Sequence, residues 1–330
     1  MSRRLALPVL VLGGSALVLA GCATDTTGGD TMSDAGDDGI RVVASTSVYG
    51  DIVAAIAGDR VEVTSIIASA AQDPHSFEPS AQDQLVVSEA DLIIENGGGY
   101  DGFLESLIAS SGTDAEVITA VEYSHDYPGN AGHDDHDHDE DDHADEDDHA
   151  GHDHIEGFNE HVWYDPHTMA YVAEEIADHL TELDPAGADV YSSGLADFTA
   201  GIEDLEAELG KIDDAHAGAE VFVTEPVPLY LTEAAGLVNA TPSAFSEAVE
   251  EGQDVPPATL LEATTILETG DVSVLIVNAQ TGGAETDAVI DTATAAAVPV
   301  LEFTELVPDG DTYLTWMQQN IADLADTLTQ

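Results

Sequence analysis

A chain of 330 residues with only 5 basic against 67 acidic side chains has a formal net charge of −62. Such a surface repels the phosphates of nucleic acids and anionic lipids, which argues against charge-driven partners of either kind. Because 43% of the residues are hydrophobic, the acidity indicates a folded protein of a salt-rich habitat, where screening tolerates self-repulsion, and not a disordered chain.

The first 21 residues have the parts of an export signal. Arg3 and Arg4 precede a short apolar run that ends in small residues and in Cys22, the only cysteine. The run is too short for a comfortable membrane span. It resembles the bacterial lipobox, so we predict that residues 1–21 are cleaved and that Cys22 is lipidated, with residues 22–39 as a flexible tether. This places the protein on the extracytoplasmic face of the cell membrane, with Sec and twin-arginine export both open. A cleaved secretory peptide with an incidental thiol is the alternative.

Strands and helices are predicted to alternate from Ile40 onward. The first half contains, in order, strand 40–45, helix 47–58, strand 61–67, helix 80–90, strand 91–96, helix 103–108, strand 115–118 and helix 166–183. The second half contains strand 220–224, helix 229–235, helix 256–268, strand 272–278, helix 287–297, strand 299–303 and helix 313–328.

The longest helical pattern runs from Asp184 to Asp213 and would reach roughly 45 Å at 1.5 Å per residue. Strands that alternate with helices indicate parallel sheets with covered faces. We therefore predict an α/β fold of two lobes, residues 40–183 and 215–330, each a parallel sheet flanked by helices. A linking helix at residues 184–214 joins them.

One segment, residues 125–157, interrupts the alternation and is predicted to be a disordered loop, because its acidic tract has no apolar residue to hold a core. Within it, seven histidines are set among aspartates and glutamates: His133, His136, His138, His143, His149, His152 and His154. Acid adaptation explains the carboxylates but not the imidazoles, which suit zinc and its first-row neighbours. We predict weak accessory metal sites here. A solvated acidic insert is the alternative.

Three segments at the edges of predicted elements each carry one possible metal ligand. His75 lies between two prolines in QDPHSFEPS, and His161 opens HVWYDP. Glu225 follows the strand 220–224 and precedes a proline. Ligands of open α/β sheets bind at the carboxyl ends of strands, and metal ligation needs separate, preorganised donors. Two imidazoles and a carboxylate are therefore candidate metal ligands in the cleft between the lobes; a histidine in a loop is by itself more often a surface residue.

The motifs QDPHSFEPS, HVWYDP and VTEPVPLYLTEAAGL resemble the three ligand motifs of the zinc/manganese ABC-transporter solute-binding lipoproteins. The resemblance extends from Ile40 to the end of the chain. It implies two α/β lobes joined by a long rigid helix, with a metal held between them by His75, His161 and Glu225. It also implies a protein that is not an enzyme and delivers its metal to an ABC permease. We expect this protein to be a monomer.

The resemblance leaves the fourth ligand unmatched. Where it implies an aspartate, residues 277–283 read VNAQTGG, so Asn278, Gln280 or water is expected to fill the position. Asp287 is a remoter choice and fits better at a helix start. The tract and the two imidazoles favour Zn²⁺, whereas Glu225 in place of a third histidine keeps Mn²⁺ open.

Two functions of other classes were weighed against metal delivery. Two histidines and a carboxylate also form a catalytic zinc set, but the chain has no HExxH and no obvious general base beside these residues, which argues against a metallohydrolase. A surface adhesin is the third alternative.

Overall fold

The computed structural model describes residues 39–69, 72, 74, 77–130, 155 and 157–329. The predicted signal segment, Cys22, nearly all of the predicted tether, His75 and the seven histidines of the tract lie outside these residues. In the part of the chain that is described, no helix is both long and apolar enough to cross a membrane.

The first lobe is a parallel sheet of four strands with helices on its faces. Its elements are β1 (Ile40–Thr46), α1 (Ser47–Ala57), β2 (Val61–Ile67), α2 (Ala81–Ser88), β3 (Leu92–Glu95), α3 (Gly102–Ser111), β4 (Glu116–Thr119) and α4 (Pro166–Leu183). The strand order is β2-β1-β3-β4, and the register sets Val42 beside Val63 and Leu92. The central strands β1 and β3 are mostly buried, as their nearly continuous apolar runs require.

The first residues of the segment 125–157, which is predicted to be a disordered loop, are described and ordered. Pro128–Asn130 form a 3-10 turn, and the ring of Tyr127 packs against Phe158 with centroids 5.8 Å apart. The apolar rings hold these first residues of the segment on the lobe. Residues 131–154 and 156 lie outside the described part of the chain.

A single helix, α5 (Ala188–His216), connects the lobes and spans about 44 Å at 1.5 Å per residue. It begins four residues later than predicted, because Pro185–Gly187 first form a 3-10 turn capped by the Asp184 carboxylate. At Gly194 a Cβ would meet the carbonyl oxygen of Ile56 at 2.2 Å. Glycine at this position therefore lets α5 pack directly on the backbone of α1.

The second lobe repeats the plan of the first. Its elements are β5 (Glu220–Val223), α6 (Leu229–Ala234), β6 (Val238–Asn239), α7 (Ser243–Glu250), α8 (Pro257–Thr269), β7 (Val272–Asn278), α9 (Ala284–Ala295), β8 (Val300–Phe303) and α10 (Tyr313–Leu328). All four strands are parallel, in the order β6-β5-β7-β8. The predicted fold class is confirmed, although the sequence did not predict β6 or α7. Asp287 lies in the first turn of α9, where its charge favours a helix start.

One apolar cluster runs through both lobes. It joins Val42 of β1, Ile52 of α1, Phe198 of α5, Val223 of β5 and Trp316 of α10. Separate clusters cover the other face of each sheet. The linking helix is therefore packed into the core along its length, and the carboxyl ends of both sheets are held close to one another.

Candidate metal site

His161 is a completely buried histidine immediately before a 3-10 turn, Val162–Tyr164, that leads into α4. Its ring contacts Trp163 and Tyr100 edge to face, with centroids 5.0 and 5.8 Å apart. Nδ1 lies 2.8 Å from the side-chain oxygen of Asn159. An acceptor at Nδ1 fixes the proton there and makes Nε2 the ligating nitrogen, as in many protein metal sites.

Glu225 lies two residues beyond the end of β5 and is 3% exposed. The hydroxyl of Thr281 donates a hydrogen bond to Oε1 of this carboxylate. The amide nitrogen of Asn278, the last residue of β7, donates to Oε2 at 2.8 Å. Two residues at and just beyond the end of β7, the strand that pairs with β5, thus fix the orientation of the Glu225 carboxylate.

Glu305, which no sequence pattern singles out, lies two residues beyond β8 and is 1% exposed. Its carboxylate accepts hydrogen bonds from the Asn278 amide at 2.6 Å and from the Tyr100 hydroxyl at 2.9 Å. The side-chain oxygen of Gln280 accepts the backbone N–H groups of Glu305 and Leu306, at 2.6 and 3.2 Å.

The two amides expected to supply a fourth ligand have other partners. The oxygen of Asn278 accepts the backbone N–H of Gln280 at 3.0 Å, and that of Gln280 holds the loop of Glu305. Both amides therefore position the carboxylates of the second lobe. Glu305 is the group that presents an oxygen beside Glu225.

Two more glutamates contribute to the same place. Glu160, His161 and Glu250 each offer one ligand atom, and these atoms lie within 4.8 Å of one another. Burial, then the charges of Glu160, Glu225 and Glu305, raise the pKa of Glu250 to about 9. Four carboxyl groups and one imidazole thus converge in the interior, an arrangement that attracts a divalent cation.

Two described chain neighbours of His75, Gln72 and Phe77, contact different lobes. Phe77 packs edge to face on Phe103, with ring centroids 4.9 Å apart, which anchors the loop to α3. The backbone oxygen of Gln72 lies 3.5 Å from the side-chain nitrogen of Gln280. Gln72 is therefore held next to Gln280, whose side-chain oxygen accepts the hydrogen bond from the backbone N–H of Glu305.

Two parallel-sheet lobes, a long connecting helix and converging metal-ligand side chains define a solute-binding protein of the metal-transport class. Residues 42–327 match the family described as the periplasmic zinc-uptake complex component A. The chain belongs to this family of extracytoplasmic, metal-binding components of ABC transporters, which are not enzymes. The predicted family is thereby confirmed.

Curated relatives share modest identity with the chain. The manganese-binding lipoprotein MntA of Halalkalibacterium halodurans is 28% identical over 191 residues, 58% of this chain and 54% of that protein. The manganese ABC transporter substrate-binding lipoprotein PsaA of Streptococcus anginosus is 26% identical over 343 aligned residues, 98% of each chain. The iron ABC transporter substrate-binding lipoprotein MtsA of Streptococcus pyogenes is 26% identical, covering 78% and 81%. All three are named as lipoproteins, and the names differ in the metal.

Solved structures show the same fold at lower identity. The crystal structure of ZnuA aligns with a TM-score of 0.65 and 20% identity, covering 88% of this chain and 99% of that one. The laminin-binding protein Lmb of Streptococcus agalactiae aligns with a TM-score of 0.68 and 22% identity, covering 88% and 100%. That protein is described as both an adhesin and a metal transporter.

Proposed function

We propose that the protein captures a divalent first-row metal ion in the cleft between its lobes and delivers it to an ABC permease. The observation that carries this proposal is that one amide, Asn278, joins the buried carboxylates of Glu225 and Glu305. Each carboxylate oxygen has two lone pairs and can therefore accept a hydrogen bond and bind a cation at the same time. The buried imidazole of His161 lies near this pair, because the ring of Tyr100 contacts His161 and its hydroxyl donates a hydrogen bond to Glu305.

The proposed ligand set is His75, His161, Glu225 and Glu305. Glu305 replaces Asn278, Gln280 or water in the fourth position, because it is the charged oxygen donor that Asn278 holds beside Glu225. His75 completes the set from the loop between Gln72 and Phe77. Two ligands from each lobe would then bind one ion.

The donor set bears on which metal is captured. Carboxylate oxygens suit Mn²⁺, whereas imidazole suits Zn²⁺ as well as other first-row ions. With Glu305 added to Glu225, the cleft favours Mn²⁺ more than the sequence alone indicates. Zn²⁺ is the second candidate, favoured by the seven-histidine tract at 133–154, which we propose binds metal weakly.

We further propose that the protein works as a monomer tied to the outer face of the membrane. Residues 1–21 would be removed, a lipid would attach to Cys22, and residues 22–39 would act as a spacer. The lipoprotein names of the relatives support this location.

Metal analysis of protein purified without added metal, followed by competition between Mn²⁺ and Zn²⁺, tests the function. Glu225→Ala should weaken binding by more than about 100-fold, since even groups that merely orient ligands contribute 10–100-fold. Glu225→His should retain binding and shift the preference toward Zn²⁺. Glu220→Ala, at the other end of the same strand, is the control and should bind like the parent. A parent protein that takes up neither ion refutes the function, and Glu225→Ala with parental affinity removes Glu225 from the ligand set.

A further inference from the structure

The position of Glu250 is not explained by the helix that carries it. Glu250 is the last residue of α7, and a carboxylate is unfavourable at the negative end of a helix dipole. Its side chain is only 10% exposed. Among the described residues, none donates a hydrogen bond to its Oε1. A buried carboxylate in this state is costly unless it takes up a proton or binds a cation.

The Glu250 oxygen is directed at the proposed site. Oε1 lies 3.5 Å from Nε2 of His161, longer than a good hydrogen bond. A ligand atom of Glu160 lies within 4.8 Å of both. Donors bound to one metal at about 2.0–2.2 Å are separated from their neighbours by roughly 3–4 Å. The 3.5 Å between His161 and Glu250 lies in this range.

Glu250 also reaches this point from the lobe opposite His161. It lies on α7, whose Phe245 packs on Phe222 of β5 with ring centroids 5.6 Å apart. Glu225 lies two residues beyond the end of β5. The oxygen of Glu250 is therefore fixed relative to the Glu225 carboxylate by the packing of one helix on one strand.

We propose that Glu250 is a further ligand of the captured metal and that its carboxylate selects Mn²⁺ over Zn²⁺. The inference rests on the proposed function, because it requires capture at His161. Zn²⁺ in closed protein sites is almost always tetrahedral and is satisfied by four donors. Mn²⁺ suits octahedral, oxygen-rich sites, which take more than four donors. Glu250 would be the fifth ligand side chain, and its carboxylate has two oxygens to offer, so it should stabilise bound Mn²⁺ far more than bound Zn²⁺.

The experiment compares Glu250→Gln with Glu251→Gln, an exposed neighbour that serves as the matched control. Affinities for Mn²⁺ and Zn²⁺ are measured by competition titration in high salt, together with the melting temperature of the metal-free protein. Glu250→Gln should weaken Mn²⁺ binding by at least about tenfold and Zn²⁺ binding by no more than about threefold, since it removes a charged oxygen donor from an octahedral set. Glu251→Gln should match the parent for both ions.

The outcomes separate this inference from the function beneath it. A parent that binds neither metal refutes the proposed function. A parent that binds, with Glu250→Gln changing both affinities equally or neither, overturns the inference, because a structural carboxylate alters no preference between ions. Glu250→Asp keeps the charge but withdraws the oxygen by one methylene, and it too should lose Mn²⁺ preference. If Glu250→Gln does not fold, Glu250→Asp decides the question. A Glu250→Asp protein that prefers Mn²⁺ over Zn²⁺ as strongly as the parent would refute selection by Glu250.

Discussion

Asn278 is the side chain whose replacement tests the carboxylate pair most directly. Its amide nitrogen donates to Glu225 at 2.8 Å and to Glu305 at 2.6 Å, so a single group positions both second-lobe carboxylates. Asn278→Leu keeps a similar size and removes both donated hydrogen bonds, together with the one its oxygen accepts from the backbone N–H of Gln280. We expect metal affinity to fall, because the two carboxylates are no longer held side by side.

The magnitude follows from these two contacts. Hydrogen bonds to charged groups contribute about 1.5–3 kcal/mol each, so the variant loses about 3–6 kcal/mol from the folded state. Part of this loss is common to the metal-free and metal-bound protein, and only the difference between the two states changes binding. Groups that orient metal ligands typically contribute about 10–100-fold in affinity, or about 1.4–2.7 kcal/mol, and we expect a loss in this range.

A matched amide elsewhere in the chain provides the control. Asn130 also donates two hydrogen bonds from one nitrogen, to the carbonyl oxygens of Glu122 and Ser124 at 2.7 and 3.0 Å. Asn130→Leu should lower the free energy of unfolding without changing metal affinity. Calorimetric titration with Mn²⁺ and urea unfolding measure the two effects. An Asn278→Leu protein that is destabilised yet binds Mn²⁺ like the parent refutes the positioning role.

Two further predictions concern the pH dependence of stability and the histidine-rich tract at residues 133–154. Burial, together with the charge of Asp101, raises the pKa of Glu95 to about 8. Between about pH 4.5 and 8 the folded chain therefore keeps a proton that the unfolded chain releases. The free energy of unfolding should then fall as the pH rises through this range. Glu95→Gln should abolish this part of the slope in urea unfolding at pH 5 and pH 8, whereas Glu62→Gln, at an exposed position, should retain it. Deleting residues 133–154 should lower the metal stoichiometry measured by calorimetry to about one while the tightest affinity stays, because a tract without apolar anchors is not preorganised. Loss of the tightest site with the tract would contradict the separation of tract and cleft.

The sequence predicted best the elements that have strong end signals. The bounds of α4 and α10 match the predicted ranges, because the Asp165 side chain caps the first helix with a proline behind it and Thr312 forms a capping box on the second. The helix α7 and the strand β6, of eight and two residues, are too short to show a period. Their existence depends on packing against β5, which no local pattern encodes.

The residues of the proposed site differ in how clearly the sequence marks them. Glu225 stands out because a strand leads into it and a proline follows it. Glu305 and Glu250 do not, since a carboxylate in a chain with 67 acidic residues has no contrast with its surroundings. The available signal for Glu305 was topological: it follows the strand β8, and the carboxyl ends of parallel strands meet at one edge. Glu250 lies on the helix that was not predicted, so only the structure brings it to the site.

The apolar cluster shared by the two lobes limits how the ion can enter and leave. Swinging the lobes apart would bring Phe198 and Ile202 of α5, together with Trp316, into water, at about 25 cal/mol for each Å² of apolar surface exposed. Because that surface lies between the lobes and the connecting helix, wide opening is opposed in proportion to its area. Exchange of the ion should then depend on small movements at the cleft rim, such as a shift of α7 that withdraws Glu250. The permease would therefore meet a body of nearly constant shape and would have to recognise the loaded state from the rim.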